Sequence, residues 1–327
     1  MTILVTGGAG YIGSIVTEEL VNSGNHVVVL DNLSQGHQAA VVPEAVFIKG
    51  DLCDQEILHN TLQKYGVDVV MHLAADKSVE NSMIEPGKFF WNNVACGINL
   101  LDCMVKNGVM SMVFSSSAAV YGQPKEIPIT EDVPLDPVNA YGESKLIFER
   151  ILRWYGEIHG LKSISLRYFN VAGASKRFGS DCRPETNLIP IIMKVALGQQ
   201  KHLSVFGDDY DTEDGTCVRD YIHVLDIAKA HILALDHLGA DASITAYNLG
   251  NGDGYSVLEV VEEARRVTGT TIPIDFCPRR PGDPPKLVAS SDLAKKNLGW
   301  RHEYPRLEQI INSAWLWHKE HPTGYDY

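Results

Sequence analysis

The chain has too few basic residues to present a surface for polyanions. Its 28 Lys and Arg stand against 41 Asp and Glu, a formal charge of −13 over 327 residues. General nucleic-acid binding needs the opposite sign, although a few arginines in a cleft can override the global field locally for a small anion. There is no apolar run of membrane-spanning length, and the sequence enters a strand at once with Met1-Thr2-Ile3-Leu4-Val5 and no basic stretch ahead. Neither a membrane partner nor a targeting segment is expected, and the setting is read as cytoplasmic. Cysteine is sparse and scattered: Cys53, Cys96, Cys103, Cys182, Cys217 and Cys277 form no CxxC. Six free thiols in a reducing cytosol are therefore expected. The 12 histidines include no HExxH and no Cys/His cluster at ligand spacing, so no metal site is expected. Internal repeats, low-complexity tracts and heptads are absent too. What is present is 45% hydrophobic and 21% charged residues, as in a soluble globular protein of one large or two ordinary domains.

Strand-like and helix-like runs alternate through the first half. Residues 3–6, 26–30, 46–49, 67–73, 111–115 and 163–168 read as strands; 11–22, 55–65, 92–107 and 141–159 read as helices. That alternation predicts an α/β fold: a Rossmann-type, doubly wound parallel sheet with helices on both faces. Its strands read as continuous apolar runs, as doubly covered strands should. After Asn170 the pattern loosens, with an irregular stretch at 173–186, a helix at 188–197, an acidic loop at 208–215 and a Pro/Arg-rich loop at 278–285. We therefore expect a domain at 1–170 and a smaller mixed α/β substrate-binding domain at 171–327, with short strands at 221–224 and 246–248 that could return to the main sheet.

Two constellations carry chemistry. The first strand runs into Gly7-Gly8-Ala9-Gly10-Tyr11-Ile12-Gly13, which opens a helix. Glycine lets the backbone turn tightly and lets a pyrophosphate approach, and the helix N-terminus supplies free N–H groups and a positive dipole end. Asp31, 18 residues past Gly13, ends the second strand. A carboxylate there would accept ribose hydroxyls and repel a 2′-phosphate, favouring NAD over NADP; a solvated loop acid is the alternative. Asp51-Leu52 stand where an adenine contact is usual, although Asp51 also suits a helix N-cap. Leu73-Ala74-Ala75 are small residues where a cofactor passes close, and Lys77 beyond them either reaches phosphate or ribose or is simply solvated.

The second constellation is Tyr141 and Lys145, four residues apart and so on one face of a helix. A free tyrosine, with a pKa of about 10, is a poor base at neutral pH. A neighbouring cation favours the phenolate, and a tyrosine so placed can exchange a proton with a substrate hydroxyl. Ser117 closes a serine run 24 residues upstream of Tyr141. Arg219 and Arg280 lie in the second unit; either could clamp a diphosphate bidentately or serve as a surface ion-pair arginine. His72 and His223 are read as structural, with no nucleophile spaced to pair with them.

These motifs resemble those of the extended short-chain dehydrogenase/reductases, over essentially the whole chain. Four later stretches narrow the resemblance to the nucleotide-sugar 4-epimerase branch: Arg167-Tyr-Phe-Asn-Val-Ala-Gly173, Phe206-Gly-Asp-Asp-Tyr-Asp-Thr-Glu-Asp-Gly-Thr216, Val218-Arg-Asp-Tyr-Ile-His-Val224 and Arg279-Arg-Pro-Gly-Asp283. The resemblance implies reversible epimerisation at C4 of a UDP-hexose, UDP-galactose or UDP-glucose, through a 4-keto intermediate with NAD. It implies Tyr141 as acid/base, Ser117 on the sugar 4-hydroxyl, and Lys145 on the nicotinamide ribose, depressing the tyrosine pKa. It further implies that Tyr11, Ile12, Asp31, Asn32, Asp51, Leu52, Lys77, Asn92 and Phe169 line NAD. Asn170, Asn187, Leu188, Phe206, Arg219, Arg280 and Asp283 would hold the UDP-sugar. Leu287 falls where the family gates pocket width; leucine is intermediate between residues that restrict the site to hexoses and those that admit an N-acetyl group. A homodimer pairing helices 92–107 and 141–159 through a four-helix contact is also implied.

Competing readings stand beside this one. A nucleotide-sugar dehydratase needs a proton-transferring pair after the serine, and Ala118-Ala119 cannot serve. Epimerases of UDP-N-acetylhexosamines or UDP-pentoses remain open through Leu287. A non-catalytic NAD-binding sensor would be expected to have lost Ser117, Tyr141 or Lys145, and all three are present.

Overall fold

The computed structural model describes residues 1–238, 245–280 and 282–325. A seven-stranded sheet forms the centre. Its first six strands in chain order are β1 (Thr2–Thr6), β2 (His26–Asp31), β3 (Val46–Lys49), β4 (Val69–His72), β5 (Ser111–Ser117) and β6 (Lys162–Tyr168). The seventh, Thr245–Leu249, pairs with β6, and the spatial order from that edge is β6-β5-β4-β1-β2-β3. Every pairing is parallel. The strand order reverses between β1 and β4, which opens a crevice at the carboxyl ends of those two strands.

Period-two alternation explains how such apolar strands serve two cores. Ile3, Val5, Val27, Val29, Val69 and Met71 face one layer, with Ile15, Val16 and Leu20 of helix Tyr11–Asn22 and Ile227 and Ala234 of helix Val224–His237. Leu4, Val28, Leu30, Val70, Met112 and Phe114 face the other, with Leu58, Leu62, Leu100, Phe148 and Leu152 from helices Gln55–Tyr65, Cys96–Lys106 and Ala140–His159. Both faces are covered, as an all-parallel sheet requires.

The later residues build a smaller mixed unit. Strand Val218–His223 runs parallel to Asn170–Ala172 and Lys286–Leu287 and antiparallel to Gly254–Ser256. Leu203–Phe206 and Ile274–Cys277 form a two-stranded parallel sheet. Helices Leu188–Ala196, Val257–Thr268 and Leu307–Glu320 enclose their shared core.

Three expectations are corrected. The segment at 221–224 does not return to the main sheet: it belongs to Val218–His223, inside the small sheet, and Val224 begins a helix. All six residues of that strand are buried, so burial alone suits either sheet, and its pairings with Asn170–Ala172, Gly254–Ser256 and Lys286–Leu287 decide. The helix read at 92–107 begins as a π-helical turn, Trp91–Ala95, before the α-helix Cys96–Lys106. The third correction concerns the thiols. Helices Gln55–Tyr65 and Cys96–Lys106 pack together and bring Cys53 and Cys96 to a Cα separation of 4.7 Å, where they are joined as a disulfide; Cys103, Cys182, Cys217 and Cys277 are free.

Candidate active site

The glycine turn is built for close approach. Gly7 has φ +73°, and a Cβ there would lie 2.6 Å from the Ala74 amide nitrogen; a Cβ on Gly13 would lie 2.1 Å from the Gly7 carbonyl oxygen. Only glycine lets β1 turn into its helix beneath the loop that follows β4. The helix begins at Tyr11 with no side-chain cap and no acid in its first turn, leaving its N–H groups and positive dipole end for an anion. Asp31 accepts hydrogen bonds from the Ala9 amide at 3.0 Å and the Leu33 amide at 2.8 Å. Burial pushes its carboxyl up, and the Leu33 and Ala9 amides pull it back.

One cleft at the sheet's switch point is lined by Gly7, Gly10, Tyr11, Ile12, Gly13, Asp31, Asn32, Asp51, Leu52, Leu73, Ala74, Ala75, Lys77 and Asn92. Its empty volume, including the open mouth, is about 1070 Å³, room for a dinucleotide. Asp51 does not cap the next helix; Asp54 does, accepting from the Glu56 and Ile57 amides. Asp51 instead accepts from the Asn32 amide group at 2.7 Å and the Cys53 backbone N–H at 2.9 Å. Asp76 escaped the sequence reading because no motif marks it. It holds Asn92 at 2.5 Å, and its backbone N–H and C=O are both bonded to the Asn93 side chain. Cys182 likewise gave no signal; a long-range approach sets it 3.0 Å from the Lys77 ammonium.

Ser117 ends β5, and Tyr141 lies in the first turn of helix Ala140–His159, whose start is capped by Asn139. The Ser117 hydroxyl is near enough to the Tyr141 phenol to act on its proton affinity. Burial raises the Tyr141 phenol above its ordinary value, while Ser117 and the nearby Lys77 ammonium pull it down. Lys77 thus joins Lys145 as a cation near this phenol. Lys145 is buried, donates to the Ser115 carbonyl at 2.7 Å and lies 5.9 Å from the Tyr141 ring centroid. Burial drives its ammonium down to about 7, against the pull of Glu149. Glu149 is itself fixed by Arg167 at 2.6 and 3.0 Å and by Ser116 at 2.5 Å.

The smaller unit carries the two arginines. Arg219 is buried and ion-paired with Asp283. Its strand neighbour Leu287 packs on a cluster containing Phe169 and Ala118, next to Ser117. The Arg280 guanidinium lies 3.9 Å from the Phe206 ring centroid, and its buried Nε has no hydrogen-bond partner. An orphaned cationic donor of this kind fits an anionic ligand. Asn187 occupies the N-cap position of the helix that starts at Leu188, yet its side chain makes no capping bond. Asn170 begins the strand paired with Tyr221 and is exposed.

The two histidines have structural partners. His72 meets Thr6 Oγ1 at 2.7 Å, and burial, with Lys145 nearby, lowers its pKa to about 3. His223 accepts the Leu225 amide at 3.1 Å, and burial lowers it to about 4.

A family model described as "NAD dependent epimerase/dehydratase family" matches residues 3–250. A UDP-glucose 4-epimerase of Halalkalibacterium halodurans is 50% identical over 99% of this chain and 98% of that protein. The chain belongs to the NAD-dependent epimerase/dehydratase family, in its UDP-glucose 4-epimerase branch. A crystal structure of a UDP-glucose 4-epimerase superposes with a TM-score of 0.97 at 47% identity, covering 100% of both chains. Another, from Bifidobacterium longum in complex with NAD+ and UDP, gives 0.95 at 40% identity over 99% of this chain and all of that one. Within this branch, the seven-stranded parallel sheet is the Rossmann-type core expected from the sequence. The metal expectation has one counter-candidate among the described residues: Asp51, Cys53 and Cys96 converge within 4.8 Å, but the two sulfurs are bonded to each other.

Proposed function

We propose that this chain interconverts UDP-galactose and UDP-glucose by NAD-dependent inversion at C4. The observation that carries it is the glycine-turn cleft lined by Lys77, whose ammonium acts on the Tyr141 phenol, with Ser117 beside that phenol at the end of β5. The helix N-terminus at Tyr11 would hold the pyrophosphate, Asp31 the adenosine ribose and Lys145 the nicotinamide ribose. NAD, when bound, would supply the redox chemistry for reversible oxidation at C4. Tyr141 removes the 4-hydroxyl proton and later returns it, relayed by the Ser117 hydroxyl. Arg219 and Arg280 keep the UDP anchored while the 4-keto sugar presents its other face.

No helix among the described residues is long and apolar enough to cross a membrane, and we read the enzyme as cytoplasmic. The test is conversion of UDP-galactose to UDP-glucose by purified protein with no NAD added. Folded, NAD-loaded protein that leaves UDP-galactose untouched would sink the reading. A panel with UDP-GlcNAc and UDP-xylose measures what Leu287 admits.

A homodimer belongs to the same reading. Trp91, Trp154 and Ile158 are 62%, 54% and 67% exposed, on the π turn and helix Ala140–His159, which pack together. Large apolar side chains clustered on helices call for a cover, and a second copy of this face supplies one. Replacing both Trp154 and Ile158 with Asp is expected to turn the dimer into a monomer in light scattering. A wild-type protein that is already monomeric would refute the pairing.

A further inference from the structure

We propose that Cys53 and Cys96 are a reversible thiol–disulfide site through which redox chemistry controls exchange of the dinucleotide. The inference rests on the NAD reading of the cleft. The Cα separation of 4.7 Å is within the range a disulfide spans. Its placement is what gives the bond a role. Asp51 and Leu52, just before Cys53, line the cleft on one side, and Cys96 lines it on another. Cys96 directly follows the π turn that carries Asn92, which faces the cleft, and Asn93, which pins Asp76. The bond therefore ties together two walls of the end expected to hold adenine. Asp51 feels it directly, since its carboxylate is bonded to the Cys53 backbone N–H at 2.9 Å.

A structural staple is the weaker account. A chain of 327 residues with apolar cores on both faces of its sheet does not depend on a bridge as small secreted domains do. The other four cysteines are free, so nothing else marks this as a disulfide-built scaffold. In a reducing compartment a single bridge of this kind is characteristically redox-sensing.

The chemistry balances with a small-molecule disulfide such as glutathione disulfide as oxidant. Cys53, the less buried of the two, attacks one sulfur as thiolate and expels the first glutathione thiolate, which takes up the proton Cys53 lost. Cys96 then displaces the second glutathione from Cys53 in the same way. Two protein thiols and one oxidised glutathione become one protein disulfide and two glutathione thiols. The reverse reaction reopens the cleft wall.

Closing the bridge is expected to slow dinucleotide exchange in both directions, since opening of a site often limits release. The experiment uses purified holoenzyme, preincubated with glutathione disulfide or with dithiothreitol, and follows replacement of bound NAD by isotopically labelled NAD. Mass spectrometry after alkylation reports the state of Cys53 and Cys96. Roughly tenfold slower exchange in the oxidised protein is expected. Cys53→Ser protein should exchange at the reduced rate under both conditions. The inference is overturned if both thiols stay alkylatable after oxidation, or if exchange is equally fast with the bridge closed. A protein that binds no NAD in either state overturns the cofactor reading itself, and this inference with it.

Discussion

Tyr141→Phe is expected to keep its NAD and lose roughly 10²–10⁴ of kcat, the usual worth of a positioned general acid/base. The substitution removes one oxygen and leaves the ring, so the packing beside Lys145 and the Asn139 cap of the helix survive. What disappears is the phenol hydroxyl beside Ser117. Ser117 cannot take over, because an alcohol holds its proton too tightly to be a base at neutral pH. The phenol in this fold is raised by burial, and the cationic nicotinamide of bound NAD favours its ionised form. Bound NAD and thermal stability should therefore match wild type while turnover collapses. Turnover within a few-fold of wild type, with NAD bound, would remove Tyr141 from the proton step.

Much of this site was legible because its determinants are local. Strand, glycine turn and helix at 3–22 occupy one continuous stretch, and Gly7 and Gly13 sit where a Cβ would strike backbone. The i, i+4 relation of Tyr141 and Lys145 follows from helix geometry alone. What stayed hidden is long-range. Lys145 was legible from helix spacing, but its burial and its bond to the Ser115 carbonyl were not. Lys77 reaches the Tyr141 phenol only through tertiary approach. The strand at 218–223 could not be assigned to a sheet from its apolar pattern, because both sheets offer it buried neighbours on both sides. Cys53 and Cys96, 43 residues apart, meet only because two helices pack. The same limit hid Asp76 and Cys182, whose partners lie far away in sequence.

Arg280→Leu is expected to raise KM for UDP-sugars by roughly 10–100-fold while kcat stays within a few-fold of wild type. A hydrogen bond to a charged group contributes about 1.5–3 kcal/mol, and about 1.4 kcal/mol is a tenfold change. Uridine diphosphate does not change during the reaction, so its anchor holds ground state and transition state alike, and its loss appears in KM. Arg280 is a cleaner probe than Arg219. The Arg280 guanidinium rests on the Phe206 ring with a buried, unpartnered Nε; a leucine preserves much of the apolar contact and strands no counter-charge. Removing Arg219 would leave Asp283 without its ion-pair partner, and breaking a buried pair costs about 3–5 kcal/mol of stability. A weaker substrate in that variant could then reflect a damaged fold. Titration of UDP against NAD-loaded Arg280→Leu protein separates binding from chemistry. Unchanged UDP affinity, or a kcat loss at unchanged KM, would place Arg280 away from the diphosphate.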